Sequence, residues 1–261
     1  MSHPLPVRPA LPVSAPVRVR DLLTSAPDGP VPVVHRGPQA LYVDVGNRCV
    51  GLLAASATAV PCGLRSRVGN FSPEDGISAY LDAGVLHIDS RPLSVGRVVD
   101  VHVPRFDRGA ILRNTASSIT CTANPPAAVV EFVFSAAPSG VTADAVDRLI
   151  GRGEGLTPLG DDVLCGWLAT QRAYAVATPE VDAAVRAGLG RTTLLSATLL
   201  DCALEGEVLP ELGDWLSAVG IPELCDRTDA LLAVGASSGA GLMAGALLAL
   251  DELISLKESA A

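Results

Sequence analysis

The chain has 261 residues, is 49% hydrophobic but only 3% aromatic, and carries a net charge of −9, so it holds enough material for one large domain or two small ones with a core of Ala, Val and Leu. Residues 1–140 carry 12 basic and 10 acidic side chains, and residues 141–261 carry 7 and 18. An acidic C-terminal half lacks the basic footprint that nucleic acid or an anionic membrane surface requires, and both are excluded as partners.

In chain order, residues 1–16 contain five prolines and little periodicity, which reads as a flexible Pro-rich arm. A β-rich domain is expected over 17–138. Its candidate strands are Val17–Arg20, Leu41–Val45, Val85–Ile88, Val98–Val103 and Val129–Phe134, short β-branched runs between turn residues. Gly46-Asn47 is placed to close a hairpin, with Arg48–Val50 returning. Asn70–Gly76 reads as a capped turn, and Ala136–Gly140 as a hinge. From 139 to 261 the apolar period lengthens toward 3.6 and the chain turns helical. Helices are expected over Thr142–Ile150, Asp161–Val176, Pro179–Leu189, Thr192–Ala203, Pro210–Val219, Pro222–Val234 and Ser238–Leu256, each opened or closed by Pro, Thr, Ser or Gly. Strands first and helices afterwards give an α+β class, a β-rich N-terminal half packed on an all-helical C-terminal half. Gly166, Gly239, Gly241 and Gly245 fall inside helical runs, where each costs about 1 kcal/mol unless a close contact needs it; they are expected to mark helix–helix packing.

Leu231–Leu250 is twenty residues without a charge, long enough to cross a bilayer. Gly235-Ala-Ser-Ser-Gly239 divides it, and two helices meeting at a polar turn fit better than a span. Six cysteines, at 49, 62, 121, 165, 202 and 225, show no C-x-x-C and no His cluster at metal spacing. The first twenty residues lack an apolar signal region. A cytoplasmic setting with reduced thiols is therefore expected.

Chemistry concentrates in Gly151-Arg-Gly-Glu-Gly-Leu-Thr-Pro-Leu-Gly-Asp-Asp162. Its glycines permit positive φ, and Thr157-Pro158 reads as a cap and a first-turn proline. Such a helix start is an anion seat, and Asp161 with Asp162 adds a proton acceptor, a cation site or a grip on an amide. The segment lacks the Gly-Lys-Ser/Thr of a Walker loop and the acidic ribose partner of a dinucleotide fingerprint. Gly190-Arg-Thr-Thr193 and Gly235–Gly239 are two more polar helix entries. If the three converge, Gly153, Gly155, Thr157, Gly160, Thr192, Ser237, Ser238 and Gly239 would line a substrate pocket. Arg191 would then fix a carboxylate, and Asp161 and Asp162 would orient the reacting group. Adjacent helical residues point about 100° apart, so the two aspartates are expected to do different jobs. Each segment alone is also a capping device. His87 and His102, in strand-like runs, are weaker candidates for a general base. No G-x-S-x-G elbow is present.

Gly153–Asp162, followed by Leu164 and Gly166, resembles the signature of a family that includes the AllH-like subunit of oxamate carbamoyltransferase. Arg191–Ser196 and Ser237–Gly245 resemble its second and third blocks, and the likeness covers residues 140–255. It departs at Leu159, where the family pattern often has Ser, and at Ala240, where it has a bulkier or acidic residue. The resemblance implies carbamoyl transfer between oxalurate and phosphate, giving oxamate and carbamoyl phosphate in allantoin degradation, a branch of purine catabolism. It also implies a small anionic substrate, partner subunits and an oligomeric assembly. On that reading the loop N–H groups and Thr157 hold a phosphate or oxyanion. Asp161 or Asp162 orients the amide nitrogen or a divalent cation, with no other cofactor. The alternatives are a non-catalytic ligand-binding or assembly subunit, or a repurposed hydrolase or lyase of related small acids.

Overall fold

The computed structural model describes residues 8–106 and 124–258. His3, the start of the Pro-rich arm and Cys121 lie outside the described residues. The chain divides into two compact units, Met1–Asp100 and Val101–Ala261.

The N-terminal unit is built on nine strands: β1 (Leu11–Pro16), β2 (Gly29–Pro30), β3 (Val33–Arg36), β4 (Ala40–Asp44), β5 (Cys49–Leu53), β6 (Gly63–Arg65), β7 (Ala79–Asp82), β8 (Val85–Ile88) and β9 (Arg91–Val99). They form one mixed sheet in the order β2-β7-β8-β9-β1-β6-β5-β4-β3. The β1–β9 and β5–β6 pairs are parallel. Of its four hairpins, three are closed by two-residue turns and β3–β4 by residues 37–39. Gly46 and Asn47 take φ 60° and 62° while Val45 and Arg48 exchange backbone hydrogen bonds, the type I′ geometry that Gly and Asn favour. Ala83-Gly84 and Asp89-Ser90 adopt positive φ in the same way. Leu11, Val13, Leu41, Val43, Leu64, Leu81 and Leu86 fill the core.

Two segments of the sequence reading are corrected here. Val17–Arg20 opens a helix, α1 (Val17–Ser25), because Val19 and Leu23 are the buried positions, four apart rather than alternate. The end of the Pro-rich arm is not flexible: Leu11–Pro16 is β1, inside the sheet. Proline is tolerated there because β1 meets β6 at one residue pair and its register with β9 shifts between Val13 and Ser14.

The C-terminal unit contains α2 (Ala127–Ala136), α3 (Ala143–Leu149), α4 (Leu159–Ala173), α5 (Pro179–Gly188), α6 (Leu194–Leu204), α7 (Pro210–Ala218), α8 (Leu224–Leu232) and α9 (Ser238–Glu258), with a 3-10 turn at Leu189–Arg191. With the sheet of the N-terminal unit this is an α+β chain. Val129–Phe134 was read as a strand and is part of α2. Its buried residues, Val129, Val133 and Ala136, fall at i, i+4 and i+7, the helical period. The strand expected over Val98–Val103 ends at Val99 as part of β9, and residues 101–106 and 124–138 belong to the C-terminal unit.

Glycine sets the closest packing in this unit. A Cβ on Gly166 of α4 would run into the Leu242 carbonyl of α9, and one on Gly245 of α9 would run into the Val163 carbonyl of α4. Gly239 faces the Leu231 carbonyl in the same manner. The apolar window Ser238–Ser255 is long enough to cross a membrane by length and composition alone, and 61% of it is buried inside the protein. Among the described residues no cysteine is in a disulfide.

Gly166→Ala should destabilise the protein by about 2 kcal/mol or more in urea melts, since overpacking against backbone outweighs the helix propensity gained. Gly190, with nothing within 4 Å of its virtual Cβ, is the control. Equal melts for Gly166→Ala and Gly190→Ala would show that α4 and α9 do not meet backbone to backbone.

Candidate functional site

The loop that enters α4 takes the conformation its glycines allow. Gly151, Gly153 and Gly155 have φ of 71°, 128° and 90°, a region closed to most side chains. Gly153 lies over the helix start, where its Cβ would stand 2.6 Å from the Leu159 nitrogen. Gly155 faces open space. Gly160 is buried, and its N–H donates to the Arg152 carbonyl at 2.9 Å. The N–H groups of Asp161 and Asp162 donate to the Pro158 carbonyl at 3.0 and 3.2 Å. Three of the first-turn donors, those of Gly160, Asp161 and Asp162, are thus engaged by the Arg152 and Pro158 carbonyls.

Pro158, not Thr157, is the N-cap, and no side chain caps this helix. Thr157 reaches elsewhere: its hydroxyl and that of Ser238, the first residue of α9, are 2.8 Å apart and hydrogen-bonded.

Asp161 is 1% exposed and fully occupied. Its Oδ1 accepts from the Gly151 N–H at 2.7 Å. Its Oδ2 accepts from the Thr192 hydroxyl and, at 2.7 Å, from the Ser196 hydroxyl. One carboxylate therefore ties the glycine loop, α4 and the start of α6 together. Thr193 completes the junction, capping α6 through the Ser196 N–H and donating to the Leu156 carbonyl at 2.5 Å.

Asp162 points to the other side. It is 5% exposed, and its Oδ2 has no hydrogen-bond partner. Burial pushes its pKa up to about 8; the Ser238 hydroxyl pulls it back, the neighbouring Asp161 pushes it further, and Thr157 pulls it back again. Gly241 of α9 lies against it, since a Cβ there would come within 2.8 Å of the Asp162 Cβ. Burial also pushes the Cys165 thiol, one turn along, well above its ordinary value, with Asp162 and Asp161 adding to the effect.

The three polar helix entries do meet, but through the aspartates rather than around Arg191. Asp161 joins the first to the second, and Asp162 sits beside the third. The Arg191 guanidinium donates to the Asp147 carboxylate at 2.7 Å and to the Asp147 carbonyl at 2.6 Å; it is 48% exposed. Ser237 is exposed, and its carbonyl accepts from the Gly241 N–H at 2.9 Å. Gly239 is buried and donates to the Val234 carbonyl at 3.0 Å. Ser196 and Asp147 were not among the expected site residues. Ser196 stands three residues after Thr193, the spacing of a hydroxyl cap, which is the one local signal it offered. His87 stacks on Tyr80 with ring centroids 4.4 Å apart, and His102 bridges to Glu207; neither belongs to this cluster.

Among the described residues no group of three or more His, Cys, Asp and Glu side chains could hold a metal ion. A cavity of about 690 Å³ elsewhere in the helical unit is walled by Arg172, Thr178, Asp182 and Arg186. Arg172 is saturated there by the Leu204 and Val176 carbonyls, the Thr178 hydroxyl and both Asp182 oxygens.

In the helical unit a glycine loop and two helix entries surround one satisfied and one partly unsatisfied carboxyl group. Residues 149–250 match the family described as oxamate carbamoyltransferase subunit AllH, and over those residues the chain is AllH-like. The match contains all three polar entries and stays within the helical unit. No curated protein and no solved structure matches the chain.

Two substitutions separate the aspartates. Asp161→Ala removes an acceptor from three donors and should cost about 3 kcal/mol or more in urea melts. Asp162 behaves oppositely. An acid whose pKa is raised on folding holds a proton that the unfolded chain has already released, so its contribution to stability falls as pH rises from the ordinary carboxylate range to about 8 and is flat above. Asp162→Asn, with nothing to ionise, should therefore gain stability relative to the wild type across that window. A constant difference at pH 5, 7 and 9 would mean that Asp162 is not held neutral.

Proposed function

We propose that this chain is an AllH-like subunit of a carbamoyltransferase-type assembly and that its helical unit binds a small ureido or amidated acid beside Asp162, Thr157 and Ser238. The observation that carries this reading is the unsatisfied Oδ2 of a carboxyl group only 5% exposed. A buried polar atom without a partner costs about 1–3 kcal/mol, and such costs are found where a ligand completes the bonding. The two hydroxyls beside it add a donor and several acceptor lone pairs, the complement of an amide. The family description names a subunit of oxamate carbamoyltransferase, which supplies the substrate class.

On this reading the chain holds and orients the substrate within the assembly; Cys165, whose thiol burial pushes well above its ordinary value, is not offered as a nucleophile. The glycine loop is the part of the site open to solvent, and Leu156 and Gly155 at its crest are exposed.

Binding of oxalurate, oxamate and carbamoyl phosphate, measured by calorimetry on the purified full chain, tests the reading. At least one of them should bind the wild type, and Asp162→Ala and Ser238→Ala should each weaken it by about tenfold or more. Arg191→Ala, which breaks only an exposed pair with Asp147, should leave affinity within about threefold. If none of the three binds, or if Asp162→Ala binds like the wild type, the site is structural.

A further inference from the structure

The surroundings of Asp162 restrict which end of a ligand can meet it. On its own helix the charged neighbour is Asp161, already saturated by Gly151, Thr192 and Ser196. The glycine loop presents the Thr157 hydroxyl, and α9 presents the Ser238 hydroxyl and the bare backbone of Gly241. Among the described residues no cation balances the pair. The Arg191 guanidinium is committed to Asp147, and Arg152 lies over the Phe132 ring, 5.0 Å from its centroid. Among the described residues no Lys, Arg or His contributes to the Asp162 environment.

A carboxylate ligand brought here would set a second anion against buried carboxyl groups with nothing of opposite sign nearby, which desolvation makes costly. A carboxamide has the matching pattern. Its carbonyl accepts from the O–H of a neutral carboxyl group, and its N–H donates to the remaining carboxyl oxygen, giving two coplanar hydrogen bonds. The Thr157–Ser238 pair uses one hydroxyl proton between its own two oxygens, and the other is directed toward Asp162, whose pKa both hydroxyls lower.

Resting on the functional reading above, we propose that Asp162, Thr157 and Ser238 form the subsite for the uncharged –C(=O)NH2 end of the ligand, that Asp162 bonds to it as a carboxylic acid, and that a carboxylate is rejected at the same position. Asp162 is on this account a specificity-determining binding residue. The direction in which burial moves its titration agrees with that role.

The test uses the full-length chain and two small probes that differ in one group, oxamate (one carboxylate, one carboxamide) and oxalate (two carboxylates). Calorimetry at pH 6.5 should show oxamate binding and no competition by oxalate. At pH 9.5 oxamate affinity should fall on the order of tenfold, as the carboxyl ionises. Asp162→Asn, which keeps a donor and an acceptor in place, should retain oxamate affinity within about threefold and lose the pH dependence. Asp162→Ala should lose binding at both pH values. The wild-type pH series needs no variant to fold, and thermal melts report whether the variants do. Oxalate binding as well as oxamate, affinity that rises with pH, or an Asn variant as deficient as the Ala variant would each overturn the neutral-acid subsite while leaving ligand binding intact. A wild type that binds none of oxamate, oxalurate and carbamoyl phosphate at either pH would overturn the functional reading itself, and the subsite with it.

Discussion

The close approach of α4 and α9 is the constraint on which the helical unit depends. Two helices whose carbonyls occupy the space of each other's missing Cβ atoms, at Gly166 and Gly245, lie nearer than helices separated by ordinary side chains. A core that is rich in Ala, Val and Leu and nearly lacking in aromatics suits that geometry. Closeness at mid-helix also fixes what happens at the helix starts. The first turn of α4 is pressed against the first turn of α9, Gly241 meets the Asp162 Cβ, and Ser238 comes within reach of Thr157. The polar cluster follows from an apolar packing decision made about two turns further along.

Two neighbouring aspartates then divide the labour that their directions impose. Asp161 faces the glycine loop and the start of α6, from which three donors converge on it, and a carboxylate accepting that many hydrogen bonds is a structural brace. Each such bond to a charged group contributes about 1.5–3 kcal/mol, enough to offset burial. Asp162 faces α9, where burial is as deep but one oxygen is left without a donor. The same residue type, one position along the chain, is stabilising in one direction and costly in the other. The difference lies in tertiary placement.

Much of the architecture was legible because it is written in local signals. Thr142 and Thr193 cap helices through backbone N–H groups three residues on, Gly46-Asn47 closes its hairpin, and the glycines inside helical runs mark the tightest packing. What failed were runs whose composition and period disagree. Val17–Arg20 and Val129–Phe134 are β-branched and look like strands, yet burial at i and i+4 makes them helices. The strand Leu11–Pro16 was hidden by its prolines, which a short register with β6 makes acceptable. At the site, the convergence of three helix entries could be inferred from their shared character, and so could the divergence of Asp161 and Asp162. The orientation of Arg191 could not. Its partner, Asp147, is 44 positions away in sequence, and nothing local tells a cation whether to turn toward a pocket or toward a surface carboxylate. Thr157 misled for a related reason: a hydroxyl before a proline is the usual sign of a cap, and here it bonds across to α9 instead.

An unsatisfied buried acid is hard to explain as architecture. A buried polar atom without a partner costs about 1–3 kcal/mol, and an asparagine at this position would carry no ionisable proton. Asp161 has a structural reason to be an aspartate, since an amide NH2 would confront donors with a donor. Asp162 has no such reason: no backbone N–H or cation calls for its charge, and burial works against that charge at every pH above its titration. The chemistry distinctive of an acid held near neutrality is the ability to donate a hydrogen bond from a carboxyl oxygen while accepting one at the other. That ability has no use inside the helical unit as it stands, where Oδ2 finds no partner. On the proposed reading it becomes useful when a planar amide reaches the acid beside the glycine loop, whose crest is solvent-exposed. The close contact between α4 and α9 buries that acid, and burial favours its neutral form.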